Sequence, residues 1–121
     1  MFGSFYFYKR KEIKDLLAYL KLIANPSDDV SLERVINEPK RGIGKTSLDN
    51  VQDLAIQTET SMYDVIKRAD EFGLNRVFVN SREFVSQIEE LRAKKDDIKI
   101  SDLIKETLNK TGYTKALEDE D

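Results

Sequence analysis

The chain has 121 residues, 40% of them hydrophobic and 36% charged, with a net charge of −3. That is one domain's worth of polypeptide, and its acidic balance excludes a globally basic coat for nucleic acid while leaving room for a local basic patch. With no Cys and no His, disulfides, thiolate or imidazole metal sites, a Cys nucleophile and a His base are all excluded.

Residues 1–10 are aromatic and extended in character, with Phe2, Phe5, Tyr6, Phe7 and Tyr8 followed by Lys9 and Arg10. The basic residues come after the apolar ones, which is the wrong order for a secretory signal, and no apolar run is long enough for a membrane span. The expectation is a soluble, cytoplasmic protein. Phe5 to Tyr8 reads as a lone strand whose backbone groups need partners from elsewhere, so the chain reads as a piece of something larger. The aromatic cluster is expected to pack against missing neighbours rather than to stack on single-stranded bases.

Residues 11–117 read as a helical unit. Ile13, Leu16, Leu17, Leu20 and Ile23 fall at the three-and-four spacing of one buried face, with Lys14, Asp15 and Lys21 on other faces. Asn25-Pro26 stops this helix. Ser31 or a neighbour caps a short helix through Asn37, and Pro39 ends it. A tight loop from Lys40 to Gly44 follows. Thr46 or Ser47 is placed to cap a helix lined by Leu48, Val51, Leu54 and Ala55. Ser61 to Asp64 resembles a capping box for a helix to about Ala69. After a turn at Phe72-Gly73-Leu74, Phe84, Ile88 and Leu91 mark a longer helix to about Lys95. Ser101 is expected to cap the next helix, closed by Gly112 in a left-handed cap, and Tyr113 and Leu117 anchor the last. Residues 118–121 form an acidic tail expected to fray. The fold class is all-α, a multi-helix subdomain with a short extended N-terminal segment.

Charge is uneven. Residues 1–47 sum to +3 and residues 48–121 to −6, so contact with a polyanion belongs in the first 47. Within them, Gly44-Lys45-Thr46 looks like the end of a phosphate-binding P-loop, but the glycine required five positions earlier is Pro39 and no buried strand precedes it. A better reading takes Pro39-Lys-Arg-Gly-Ile-Gly44 as the hairpin of a helix-hairpin-helix element. Gly42 and Gly44 allow a tight turn and close approach to a phosphate, and Ile43 tucks inward. Lys40, Arg41 and Lys45 supply positive charge, and amides around Gly44 and Lys45 face outward at a helix N-terminus, which favours an anion. Such a device grips the sugar-phosphate backbone rather than reading bases. The bland alternative is a plain connection with solvated cations. Glu89-Glu90 and Asp96-Asp97 are adjacent carboxylates that point apart on a helix and read as solvated.

Four segments occur in order: Phe7-Tyr-Lys-Arg-Lys-Glu-Ile-Lys-Asp15, Ala18-Tyr-Leu-Lys-Leu-Ile-Ala-Asn-Pro26, Arg34-Val-Ile-Asn37 and Pro39-Lys-Arg-Gly-Ile-Gly44. Together they closely resemble the UvrD/PcrA/Rep group of superfamily I DNA helicases, with weaker similarity from Gly73-Leu74 to Thr111-Gly-Tyr113. The resemblance implies the accessory 2B subdomain, preceded by the tail end of the second motor domain, with Arg10 and Glu12 on the motor-side boundary. It implies that Pro39, Arg41, Gly42, Ile43 and Gly44 belong to a loop that touches duplex DNA ahead of the fork, with Thr46 at the start of the following helix. At the front, Gly3-Ser4 departs from the family's usual Gly-Gly. It also implies ATP and Mg in the intact parent, but the phosphate-binding loop, the metal-binding acids and the arginine finger are not in this chain. No catalytic residue, cofactor or metal is therefore expected here, and the expected partners are duplex or junction DNA and the remaining motor domains. The competing reading is a regulatory module that docks on proteins without touching DNA.

Overall fold

Seven α-helices carry residues 9–120, the part of the chain that the computed structural model describes. They are α1 (Arg10–Ala24), α2 (Asp29–Val35), α3 (Lys45–Thr58), α4 (Met62–Lys67), α5 (Asn75–Lys94), α6 (Ile100–Lys110) and α7 (Tyr113–Glu120). No strand occurs among the described residues, and the expected extended stretch Phe5 to Tyr8 lies outside them.

α1 packs on α2, α5 and α6; α4 bridges α3, α2 and α5; α6 packs on α5 and α7. Tyr19, Phe84 and Tyr113 meet at the centre, with ring centroids 6.5 Å apart for Tyr19–Phe84 and 6.3 Å for Tyr19–Tyr113 in an edge-on arrangement. Leu22, Leu32, Ile36, Val51, Ile66, Ile88, Leu91 and Leu108 are fully buried around them. Each such side chain contributes about 1.5–3 kcal/mol relative to exposure, which is why the three-and-four spacing settles into packed helices. Among the described residues no helix is long and apolar enough to cross a membrane.

The helix boundaries reveal where local chemistry decides. Asp28 caps α2, its carboxylate accepting from the Ser31 amide at 3.1 Å and the Ser31 hydroxyl at 2.8 Å. Those two bonds hold the Asp28 carboxyl below its ordinary range. Ser61 caps α4 by accepting from the Asp64 amide, as its spacing predicts. Two expected caps are overturned. α3 begins at Lys45 with Gly44 as its cap residue, not at Thr46 or Ser47, and α6 begins after Lys99 rather than after Ser101. Thr46 and Ser101 instead sit inside the first turns. Gly112 has φ +78° and separates α6 from α7, where the buried Tyr113 anchors the last helix. The acidic run expected to fray is helical through Glu120; the side chain of Leu117 lies outside the described set.

α1 is rotated relative to the face its apolar spacing implies. Ile13 and Leu17 are 46% and 48% exposed, while Asp15, placed on a solvent face by the sequence, is 1% exposed. The reason is a three-donor cradle: Asp15 accepts from Lys11 Nζ at 2.8 Å, Arg34 Nε at 2.8 Å and the Tyr113 hydroxyl at 2.7 Å. Two cations and a phenol compensate the carboxylate for the water it has lost, and the helix turns to deliver it to them. Lys11 is held protonated above its usual range by the Asp15 carboxylate. The Tyr113 phenol is pushed up, chiefly by burial and then by Asp15.

Candidate nucleic-acid interface

The loop between α2 and α3 is built by side chains that substitute for backbone pairing. Asn37, just past α2, accepts from the amides of Arg41 at 3.3 Å and Ile43 at 3.2 Å and donates through its amide nitrogen to the Ile43 carbonyl. One asparagine thereby closes the turn. Gly42 has φ +78°, a conformation that other residues rarely adopt, and its carbonyl accepts from Asn80 Nδ2 on α5 at 3.1 Å. A Cβ at Gly42 would sit 3.1 Å from that nitrogen. Ile43 is 1% exposed and roots the loop in the core.

Gly44 is different. Its φ is −75° and its ψ 176°, which any residue adopts, and a Cβ there would meet nothing within 4 Å. Neither the backbone nor the packing of this domain requires glycine at that position. Directly after it the first turn of α3 presents the amides of Lys45, Thr46 and Ser47, with no side chain capping them among the described residues. The first intrahelical bond runs from Leu48 N–H to the Gly44 carbonyl at 3.0 Å. Outward amides plus the helix dipole favour an anion. Lys40, Lys45 and Thr46 are exposed around them.

Arg41 does not stand with these cations, although the sequence groups its charge with theirs. Its Nη1 donates to the carbonyls of Val35 at 2.9 Å and Ile36 at 2.8 Å. Its Nη2 donates to the Tyr19 hydroxyl at 2.9 Å and the Thr111 carbonyl at 3.4 Å. The guanidinium also lies 4.6 Å from the centre of the Phe84 ring. It caps the last carbonyls of α2 and ties four elements to the loop, a task suited to a planar fork of donors. Tyr19 completes the knot by donating to the Glu38 carbonyl, and burial raises its phenol against the opposing pull of Arg41.

Lys40, Gly42, Gly44, Lys45 and Thr46 therefore share one exposed bend, while Arg41 and Ile43 hold it from inside. Tyr19, Asn37 and Thr111 lie in the segments that carry the resemblance, but their supporting bonds, like that of Asn80, have no signature of their own in the local sequence. α2 packs chiefly on α1 and α3 on α4, so the helices flanking the hairpin do not lean principally on each other. A helix, not a strand, leads into Gly44-Lys45-Thr46, which removes the P-loop reading. Glu89 and Glu90 are not free either: Glu89 accepts from the Tyr63 hydroxyl at 2.7 Å, and Glu90 pairs with Lys110 at 3.1 Å.

The sequence profile of the UvrD-like helicase C-terminal domain matches residues 1–119. The chain belongs to this family. UvrD-like relatives include the ATP-dependent DNA helicase PcrA of Staphylococcus aureus (strain Mu50 / ATCC 700699), which is 45% identical over 121 residues, 99% of this chain. The protein of the same name from Staphylococcus epidermidis (strain ATCC 12228 / FDA PCI 1200) is 44% identical over the same span. The chain covers 17% of the length of these relatives. The chain thus spans about a sixth of such a protein, and the bend from Lys40 to Thr46 lies within that share.

Proposed function

We propose that this domain is the 2B-like accessory subdomain of an ATP-dependent DNA helicase and that it grips the backbone of duplex or junction DNA near the fork. The hairpin between α2 and α3 acts as a helix-hairpin-helix-like element. Lys40 and Lys45 neutralise phosphate charge, and Gly42 shapes the turn. Gly44 lets a phosphate approach the main chain, and the amides of Lys45 and Thr46 receive it. Ile43 and Arg41 position the bend. ATP and Mg are bound and turned over by the motor domains of the parent, which pull one strand while this domain holds the duplex.

The observation that carries this reading is Gly44: a glycine with an ordinary φ and open space where its side chain would be, at the mouth of an uncapped helix. A backbone approached from outside is a physical reason for glycine at such a position. The test is fluorescence anisotropy of a labelled DNA hairpin with the 121-residue chain, with circular dichroism as the folding control. Lys45→Ala should flatten the salt dependence by about 0.9 per phosphate contact, and Gly44→Val should weaken binding while the helices persist. Binding by both variants equal to the parent chain would reject the assignment.

A second reading, docking on protein, draws on Ile13, Leu17 and Val30, which are 46%, 48% and 78% exposed; Leu17 and Val30 line one groove between α1 and α2. Salt-insensitive indifference to DNA, together with partner binding lost in Leu17→Asp, would favour it.

A further inference from the structure

We propose that the anion site continues from the loop onto α5, where Arg76 grips a second phosphate of the same backbone. This rests on the duplex-gripping reading above and extends it to a helix that the sequence did not implicate.

The bond from Asn80 Nδ2 to the Gly42 carbonyl fixes α5 against the loop. Arg76 lies four residues before Asn80, on the same face and about one helical turn, roughly 5–6 Å, along the axis. It is exposed and makes no hydrogen bond or ion pair among the described residues. Its counterparts are committed: Arg34 to Asp15, Arg41 to the α2 carbonyls, Arg68 to Asp64, and Arg92 to Glu89 and the Ile23 carbonyl. Arg82 lies over the Phe78 ring at 4.2 Å. Of the arginines from Arg34 onward, Arg76 is the one left without a described partner, and it lies one helical turn from the residue that bonds the bend. The acid that shares its face, Glu83, lies on the far side of Asn80, about two helical turns from Arg76, where it lines a cleft with Lys40 and Arg41 and makes no ion pair with Arg76. A guanidinium here has the fork geometry that phosphate oxygens take in pairs. The site is then bipartite: amides and lysines at the start of α3, a guanidinium on α5, and Asn80 holding the two in register.

The experiment measures hairpin-DNA affinity of the 121-residue chain from 50 to 200 mM salt for Arg76→Ala, Arg76→Gln and Arg82→Ala, with circular dichroism on each. Arg82 is the control for charge alone, since it sits on the same helix but on another face. Either Arg76 variant should lower the salt slope by about 0.9, so its affinity deficit shrinks about 3.5-fold across that range; Arg82→Ala should leave the slope unchanged. Arg76 and Arg82 variants with the same slope would overturn this inference, and the loop reading would survive if Lys45→Ala still flattens the slope. Absence of salt-sensitive binding by the unmodified chain would overturn both.

Discussion

Gly44→Asp should make the domain more stable and worse at its work. Position 44 already has the dihedral angles of a helix cap, and an added Cβ meets nothing within 4 Å, so the substitution introduces no strain. An aspartate there accepts from the open amides of the first turn of α3. Capping gains a few tenths of a kcal/mol over glycine, and the negative charge at a helix N-terminus adds about 0.3–1 kcal/mol. Restricting the unfolded chain adds about 0.4–1 kcal/mol. Even if these gains overlap, a net of about 1 kcal/mol remains, which for this size raises the melting temperature by about 3–5 °C. The same carboxylate fills the place proposed for a phosphate. One contact is lost, and a like charge at about 4 Å costs a further ~1 kcal/mol even in water, so hairpin-DNA affinity should fall by about tenfold. Thermal melts and anisotropy on one preparation read both effects, and Gly44→Asn separates capping from charge. A variant that melts higher and binds DNA as well as the parent would refute the claim that these amides form the anion site.

Two further outcomes follow from the packing. Arg41→Ala leaves the carbonyls of Val35 and Ile36 without their charged donor and should cost about 2–4 kcal/mol in urea unfolding. Arg41→Lys should recover little, because a single ammonium cannot reproduce the fork; a loss below about 0.5 kcal/mol for either would contradict the positioning role. In alkali, Tyr19, Tyr63 and Tyr113 all have phenols raised above the ordinary 10.0, burial being the main cause in each. The fold favours their neutral form. Their contribution is therefore complete below pH 10 and declines as the pH climbs from there toward the folded-state values, since the unfolded chain ionises first. At least three of the five phenols should ionise only as helix content collapses, followed by phenolate absorbance alongside circular dichroism. Full ionisation with the helices intact would refute it.

Much of the architecture was legible because helical periodicity is a local signal. The stretches around Val51, Ile66, Ile88 and Leu108 all became buried helix faces, and α1 formed as a helix with its face turned. The bend at Gly42 to Gly44 was legible too, as two glycines around one apolar residue between two amphipathic runs. What escaped was whatever depends on distant partners. Asp15 looks like a surface acid paired with Lys11 one turn away; only Tyr113, 98 positions on, together with Arg34, makes its burial tolerable. Arg41 looks like one more loop cation until Tyr19 and Thr111 come within its reach. Capping at Thr46 and Ser101 failed for a smaller reason: a helix will begin on a residue with no cap, and a Ser or Thr one or two places inside then looks like the start. At Gly44 that missing cap coincides with the candidate site.

The Arg41–Thr111 contact joins positions 70 apart in the chain. The shape of the bend is thus a collective property of the folded whole. A short synthetic copy of the loop would have its residues but no frame to set them, and damage near the last two helices would reach the proposed DNA-facing surface without touching it.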